Sequence, residues 1–176
     1  MPKLSTDEQR TFLDEPGHLV RIGTTDADGM PRIAPTWFER EGDHILFTPR
    51  KESVFLENLR NDPRVALLFD ETALPYRKVN IRGVAEIRYE LEHDEIWRET
   101  YRSIACRYIP RESADRYLDD TIDQTRALVA VSLVDAEVTS WRMPIEGESG
   151  TGIWARRYYA QDTKMARRAE AAADGS

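Results

Sequence analysis

Between residues 19 and 70 the chain alternates short apolar runs with turn residues: LVRIGTT, DADGMP, RIAPTWFE, REGD, HILFTP, SVFLENLRNDP and RVALLFD. Each apolar run is about 5 to 8 residues, the length of a strand, and each is closed by Gly, Pro or Asp. The pattern predicts an antiparallel meander with one short helix inserted after Ser53. That helix begins just beyond Thr48, Arg50 and Lys51, so hydroxyls, cations and free backbone N–H groups gather at one point. Such a point suits a phosphate.

Side-chain alternation gives the faces. In RIAPTWFE, Arg32, Ala34, Thr36 and Phe38 share one side and Ile33, Pro35 and Trp37 the other. Pro35 cannot donate a ladder hydrogen bond, which predicts an edge strand or an opening for a ligand or partner. The near-continuous apolar run 64–69 predicts a central strand buried on both faces. From Lys78 the alternation is cleanest, with Val79, Ile81, Gly83, Ala85 and Ile87 inward and Lys78, Asn80, Arg82, Glu86 and Arg88 outward. The outward set reads as a wet sheet face or as a cofactor wall. Residues 126–141 are expected to form the last strand.

Helices fill the remainder. Ser5 and Glu8 form a capping box that starts a helix running to about Glu15, with Phe12 and Leu13 buried. The helix after Ser53 turns Phe55, Leu56 and Leu59 inward. Trp97, Tyr101, Ile104, Ala105 and Tyr108 recur at helical spacing, as do Ala114, Tyr117, Leu118 and Ile122 after Pro110. This aromatic stripe reads as core or subunit interface in preference to a ligand wall. Residues 143–159, rich in Gly and aromatics, read as a lid or an interface arm. Residues 160–176 lack an apolar stripe and are expected to be disordered or a frayed helix.

At 176 residues, 40% hydrophobic and 32% charged, the chain suits one soluble domain, residues 1–159, followed by that tail. A net charge of −7 argues against nucleic acid as a partner. The apolar runs are too short to span a bilayer, and acids follow the first four residues, so a cytoplasmic protein is expected. The lone Cys106 fits a reducing compartment and reads as a small core residue. His18, His44 and His93 are scattered, and no metal site is expected. No nucleophile elbow, dinucleotide loop or P-loop occurs, which removes support for hydrolytic and kinase chemistry and leaves the catalytic residues unknown. What is left is an anion site with a polar and aromatic wall, an arrangement suited to a phosphorylated cofactor that carries the chemistry itself.

The run RIAPTWFEREGDHILFTPRKESVFLENLRNDPRVALLFDE, followed by ALPYRKVNIRGVAEI, resembles the pyridoxamine 5′-phosphate oxidase-like flavin-binding split-barrel family, including its deazaflavin-dependent branch. The resemblance is firm over residues 19–88. Residues 97–108, 120–124 and 141–144 look like a subgroup with helices inserted before the last strand. The resemblance implies a mainly β (α+β) fold, a six-stranded antiparallel split β-barrel of Greek-key type with peripheral α-helices. It also implies an obligate homodimer that binds FMN, or alternatively the deazaflavin coenzyme F-420, at its interface.

Carried over by residue, Arg32, Ile33, Ala34, Pro35, Thr36 and Trp37 correspond to the strand that lines the flavin, with Arg32 toward the phosphate. Phe47 and Thr48 match an aromatic–Thr pair on the cofactor, Ser53 lies in the phosphate loop with Arg50 and Lys51, and Lys78 falls beside the ring. Two positions depart from the family. Phe55 stands where a basic residue is expected, so Arg50 or Lys51 would supply the phosphate charge. Trp37 replaces a Lys of the true pyridoxamine-phosphate oxidases, which argues against vitamin B6 oxidation. Two functions follow: an FMN- or deazaflavin-dependent oxidoreductase passing hydride to or from a small molecule, or a non-catalytic barrel that binds flavin, haem or another planar ligand.

Overall fold

The structure, a computed structural model, describes residues 2–148 and 159–174. Helix α1 (Thr6–Asp14) starts at Ser5, whose hydroxyl accepts from the Glu8 N–H at 3.3 Å while its own N–H donates to the Glu8 carboxylate at 2.7 Å. The box satisfies two helix-end donors at once. Phe12 and Leu13 are buried, as the sequence indicates.

The strands follow as β1 (Val20–Thr25), β2 (Pro31–Thr36), β3 (Glu39–Glu41) and β4 (His44–Phe47). After α2 (Val54–Asn61) come β5 (Arg64–Asp70) and β6 (Lys78–Tyr89). Helices α3 (Arg98–Cys106) and α4 (Arg111–Asp120) precede β7 (Leu128–Ser132) and β8 (Glu137–Trp141), and α5 (Lys164–Asp174) is helical within the tail. The antiparallel order is β2-β1-β5-β6-β7-β4-β3, with β8 branching from β6. The long β6 is the hinge of the architecture. Residues 78–84 pair with β5 and 78–82 with β8, while 85–89 cross over to β7. One strand thus serves two half-sheets that curl around a shared core holding Val20, Ile22, Phe38, Phe47, Phe69 and Ile81. This is a split barrel.

Eight strands replace the expected six among the described residues, for two local reasons. At Trp37-Phe38 the backbone leaves the ladder, because the Phe38 N–H donates to the Tyr108 hydroxyl at 3.1 Å and the Phe38 ring turns into the core. The run from Pro31 to Glu41 therefore divides into β2 and β3. At 132–135 the Asp135 N–H and the Ser132 hydroxyl close a turn, so the expected last strand divides into β7 and β8.

Three other expectations are corrected. Strand β5 alternates, with Val65, Leu67 and Phe69 buried and Arg64 and Ala66 exposed. The strands covered on both faces are β4 and β7, because α3 and α4 pack Trp97, Ile104, Ala114 and Leu118 over Leu46, Leu128 and Ala130. Cys106 is exposed: the buried stripe of α3 runs through Tyr101, Ile104 and Ala105, and the next residue turns outward. Ile122 is exposed too, since α4 ends at Asp120. Of the irregular segment 143–159, residues 149–158 lie outside the described residues. Among the described residues no helix is long and apolar enough to cross a membrane.

Helix α1 is tied to the barrel by charge. Arg77 donates to Glu15 at 2.7 and 2.8 Å and to Glu71 at 2.7 and 3.0 Å, and its guanidinium lies 4.7 Å over the Phe12 ring. The Arg77 hydrogen bonds hold both carboxyls below the ordinary glutamate value of 4.5. A carboxyl depressed in the folded state contributes stability that is complete above its unfolded value and is lost as pH falls through the folded one. Unfolding free energy should therefore drop as pH is lowered below about 4.5, and Arg77→Gln should flatten that limb. Urea denaturation from pH 7 to pH 3 measures it; an unchanged slope in the variant would remove the cluster from the account.

Candidate functional site

A cavity of about 310 Å³ opens where β2 ends, α2 begins, and α3 and α4 cover the barrel. Pro35, Thr36 and Trp37 form one side, and Thr48, Pro49, Arg50, Ser53 and Phe55 the turn into α2. Tyr101, Tyr117 and Arg126 complete the wall. Ser53 occupies the N-cap position of α2 yet makes no side-chain cap hydrogen bond, so its hydroxyl is available beside the positive end of the helix. Trp37 stacks on Tyr108 with centroids 5.1 Å apart and planes 4° from parallel, and meets Tyr117 edge-on at 5.8 Å. Tyr108 is itself fixed, donating to the His18 carbonyl at 2.7 Å. The cavity therefore combines a rigid aromatic side with hydroxyls, a helix N-terminus and guanidinium groups.

Residues 5–140 match the pyridoxamine 5′-phosphate oxidase family, most of the chain's length. The chain belongs to this family. No curated protein matches its sequence. Among solved structures, a conserved hypothetical protein from Mycobacterium tuberculosis aligns at 24% identity and a TM-score of 0.63, over 84% of this chain and 94% of its own. A FAD-binding protein from Mesorhizobium loti aligns at 17% identity and 0.58, over 81% and 98%. The haem storage protein HutZ from Vibrio cholerae aligns at 16% and 0.57, over 76% and 94%. At such identities the likeness establishes the fold.

Of the residues that the family resemblance singles out, the structure brings six to the cavity: Pro35, Thr36, Trp37, Thr48, Arg50 and Ser53. The other six lie elsewhere in the single chain. Arg32 is exposed and makes a two-pronged ion pair with Asp26, both contacts at 2.7 Å. Asp26 is held in turn by the buried Asn58, which donates to it at 2.7 Å and to the Thr24 hydroxyl at 3.0 Å. Those bonds, from Arg32 first and Asn58 second, lower the Asp26 carboxyl below the usual range. Ile33 points outward and is 74% exposed, and Ala34 is half-buried. The Phe47 ring is fully buried near Phe55, leaving only its backbone for any ligand. Lys51 is exposed, and Lys78 sits 4.8 Å over the Trp141 ring.

Three polar side chains were not expected in the cavity, Tyr101, Tyr117 and Arg126. Tyr101 and Tyr117 carry the helical spacing of a core stripe, and they do pack in the core, with one edge left on the cavity. Arg126 opens an otherwise apolar run, and that lone cation ahead of buried residues was the available signal. It is 7% exposed. Phe55 lines the cavity while Leu56 and Leu59 take the core positions, so the position where the family expects a basic residue does border the site.

Proposed function

We propose that this chain binds a flavin-type cofactor, FMN, in the 310 Å³ cavity and acts as an oxidoreductase on a small molecule. The observation that carries this is the uncapped Ser53 hydroxyl at the N-terminus of α2, beside Thr48 in the cavity that the stacked Trp37 also lines. A phosphate suits the first group and a flat ring system the second. When bound, the cofactor would supply the hydride chemistry; the chain's own residues hold its phosphate and wall off its ring. Family membership and the FAD-binding relative support the same ligand class. The haem storage relative supports a second reading, a binding protein for another planar ligand.

The partner in this reading is a second copy of the chain. On the open face of the sheet, Ile33, Gly23, Ala66 and Arg82 stand in one cross-strand row and Pro35, Arg21, Leu68 and Asn80 in the next. Ile33, Ala66 and the nearby Val84 are exposed there. These exposed apolar side chains, set among the ion-paired Arg21 and Arg82 and next to the cavity residue Pro35, favour a homodimer with the cofactor near its seam.

Titration of the purified protein should show FMN binding at micromolar Kd or tighter, roughly −8 kcal/mol. Riboflavin, which lacks the phosphate, should bind at least tenfold more weakly. The same titrations with the deazaflavin coenzyme and with haem decide between the cofactor classes. If FMN does not saturate below about a millimolar, the flavin reading fails.

A further inference from the structure

Arg126 is buried without a counter-charge. Its Nη1 donates to the Thr48 carbonyl at 3.2 Å and its Nη2 to the Tyr117 hydroxyl at 3.0 Å, and the guanidinium lies 4.5 Å over the Tyr101 ring. Its Nε has no hydrogen-bond partner. Among the described residues no carboxylate pairs with it. Asp94, which borders a small void beside Arg126, is engaged by Arg98 at 3.3 Å. Arg50 likewise makes no ion pair among the described residues; its Nη2 donates to the same Tyr117 hydroxyl at 2.7 Å. One phenol oxygen thus accepts from two guanidinium groups, and its own proton is left to donate.

A buried guanidinium with an unused donor is costly, and in most folds a carboxylate offsets it. In a chain of net charge −7, with acids in abundance, none is placed here. The Tyr117 phenol reports the same field: burial pushes it up, but the Tyr101 hydroxyl, Arg50 and Arg126 outweigh burial and hold it below the ordinary tyrosine value. Tyr101 is raised instead, first by burial. The rest of the lining includes the rings of Trp37 and Phe55 and the apolar Pro35 and Leu19.

We propose that Arg126, Arg50 and Tyr117 form an anion subsite that takes the carboxylate or phosphate of a flat, largely apolar small molecule distinct from the cofactor. The cofactor's phosphate is served by another group, the Ser53 hydroxyl at the N-terminus of α2, which makes no cap hydrogen bond and is not part of this cluster. The subsite shares the cavity of the flavin reading and names the substrate class for it, but it does not require flavin to be bound.

The probes are 2-naphthoate and its neutral isostere 2-naphthamide, titrated calorimetrically into the full chain with and without FMN. Wild type should prefer the carboxylate by tenfold or more. Arg126→Gln should erase that preference while leaving naphthamide affinity within about twofold, since stacking survives. Tyr117→Phe keeps the ring and should reduce the preference severalfold, which provides the reading if Arg126→Gln does not fold. Equal affinity of wild type for the two probes, no binding of either, or a preference that survives both substitutions would overturn the proposal. So would a result in which FMN expels naphthoate and Arg126→Gln removes the preference for FMN over riboflavin, because the anion would then be the cofactor's own phosphate. Naphthoate preference without FMN binding would sink the flavin reading alone.

Discussion

Phe38→Ala should cost the fold about 3–5 kcal/mol, the range for deleting a fully buried phenyl ring. For a chain of this size that lowers the melting temperature by roughly 6–20 °C. The ring is fully buried, meets Phe69 edge-on at 4.6 Å, and lies 5.1 Å beneath the Arg107 guanidinium. Its surroundings resist collapse. The Phe38 backbone is pinned by the Tyr108 hydroxyl, and Arg107 is anchored on the α1 carbonyls of Leu13 and Asp14 at 2.8 and 3.2 Å. A void left there stays open, so the cavity term adds to the transfer term. Because Phe38 follows Trp37, the variant should also loosen the Trp37–Tyr108 stack and shift Trp fluorescence. Phe38→Leu, which keeps much of the volume, should lose clearly less. A loss below about 1 kcal/mol in urea denaturation of the alanine variant would mean that this ring is not holding the barrel shut.

Phe38 also shows where sequence reading stops. Alternation grouped it with Arg32, Ala34 and Thr36, yet Phe38 alone of the four is buried because the strand ends before it, whereas the inward set of β6 was legible from Val79 to Ala85. Alternation reports which side chains share a face; it does not report what covers the other one. That is why the apolar run of β5 looked buried on both sides, when the helices that supply a second cover lie over β4 and β7. The break at Trp37-Phe38 depends on a hydroxyl seventy residues away, and nothing local announces it. The same holds at the site. Thr48, Arg50 and Ser53 are close in sequence, so the turn they bring to the cavity could be read directly. Arg126 reaches that turn only through the pairing of β4 with β7 and the bridge between Arg50 and Arg126, a long-range event. Arg32 failed to join the cavity within one chain because Asp26, four residues past the buried Ile22, competes for it at bidentate geometry.

The largest functional effect is expected from Ala66→Arg. Ala66 is exposed at the middle of the open sheet face, opposite Gly23 on β1 and Arg82 on β6, and an added side chain there points away from the core. The cost to the single chain should stay within about 0.5 kcal/mol. Against a second copy the effect is different. The new guanidinium arrives beside Arg82, Arg64 and Arg21, which already occupy the carboxylates of Glu137, Asp62 and Asp70, and must lose its water unpaired where two sheets would meet. Burying an unpaired charge costs several kcal/mol, enough to break an interface of ordinary strength. Wild type should sediment as a dimer at micromolar concentration and Ala66→Arg as a folded monomer. If the cofactor lies near the seam, FMN affinity should fall by on the order of a hundredfold in the same variant, about 2.7 kcal/mol, although no cavity residue has changed. Ala66→Ser should leave both properties intact. A wild-type monomer, or a dimer that survives the arginine, would remove this face as the interface. A monomer that still binds FMN fully would place the whole cofactor site within one chain, and Arg32, turned toward Asp26 and away from the cavity, would then have no part in it.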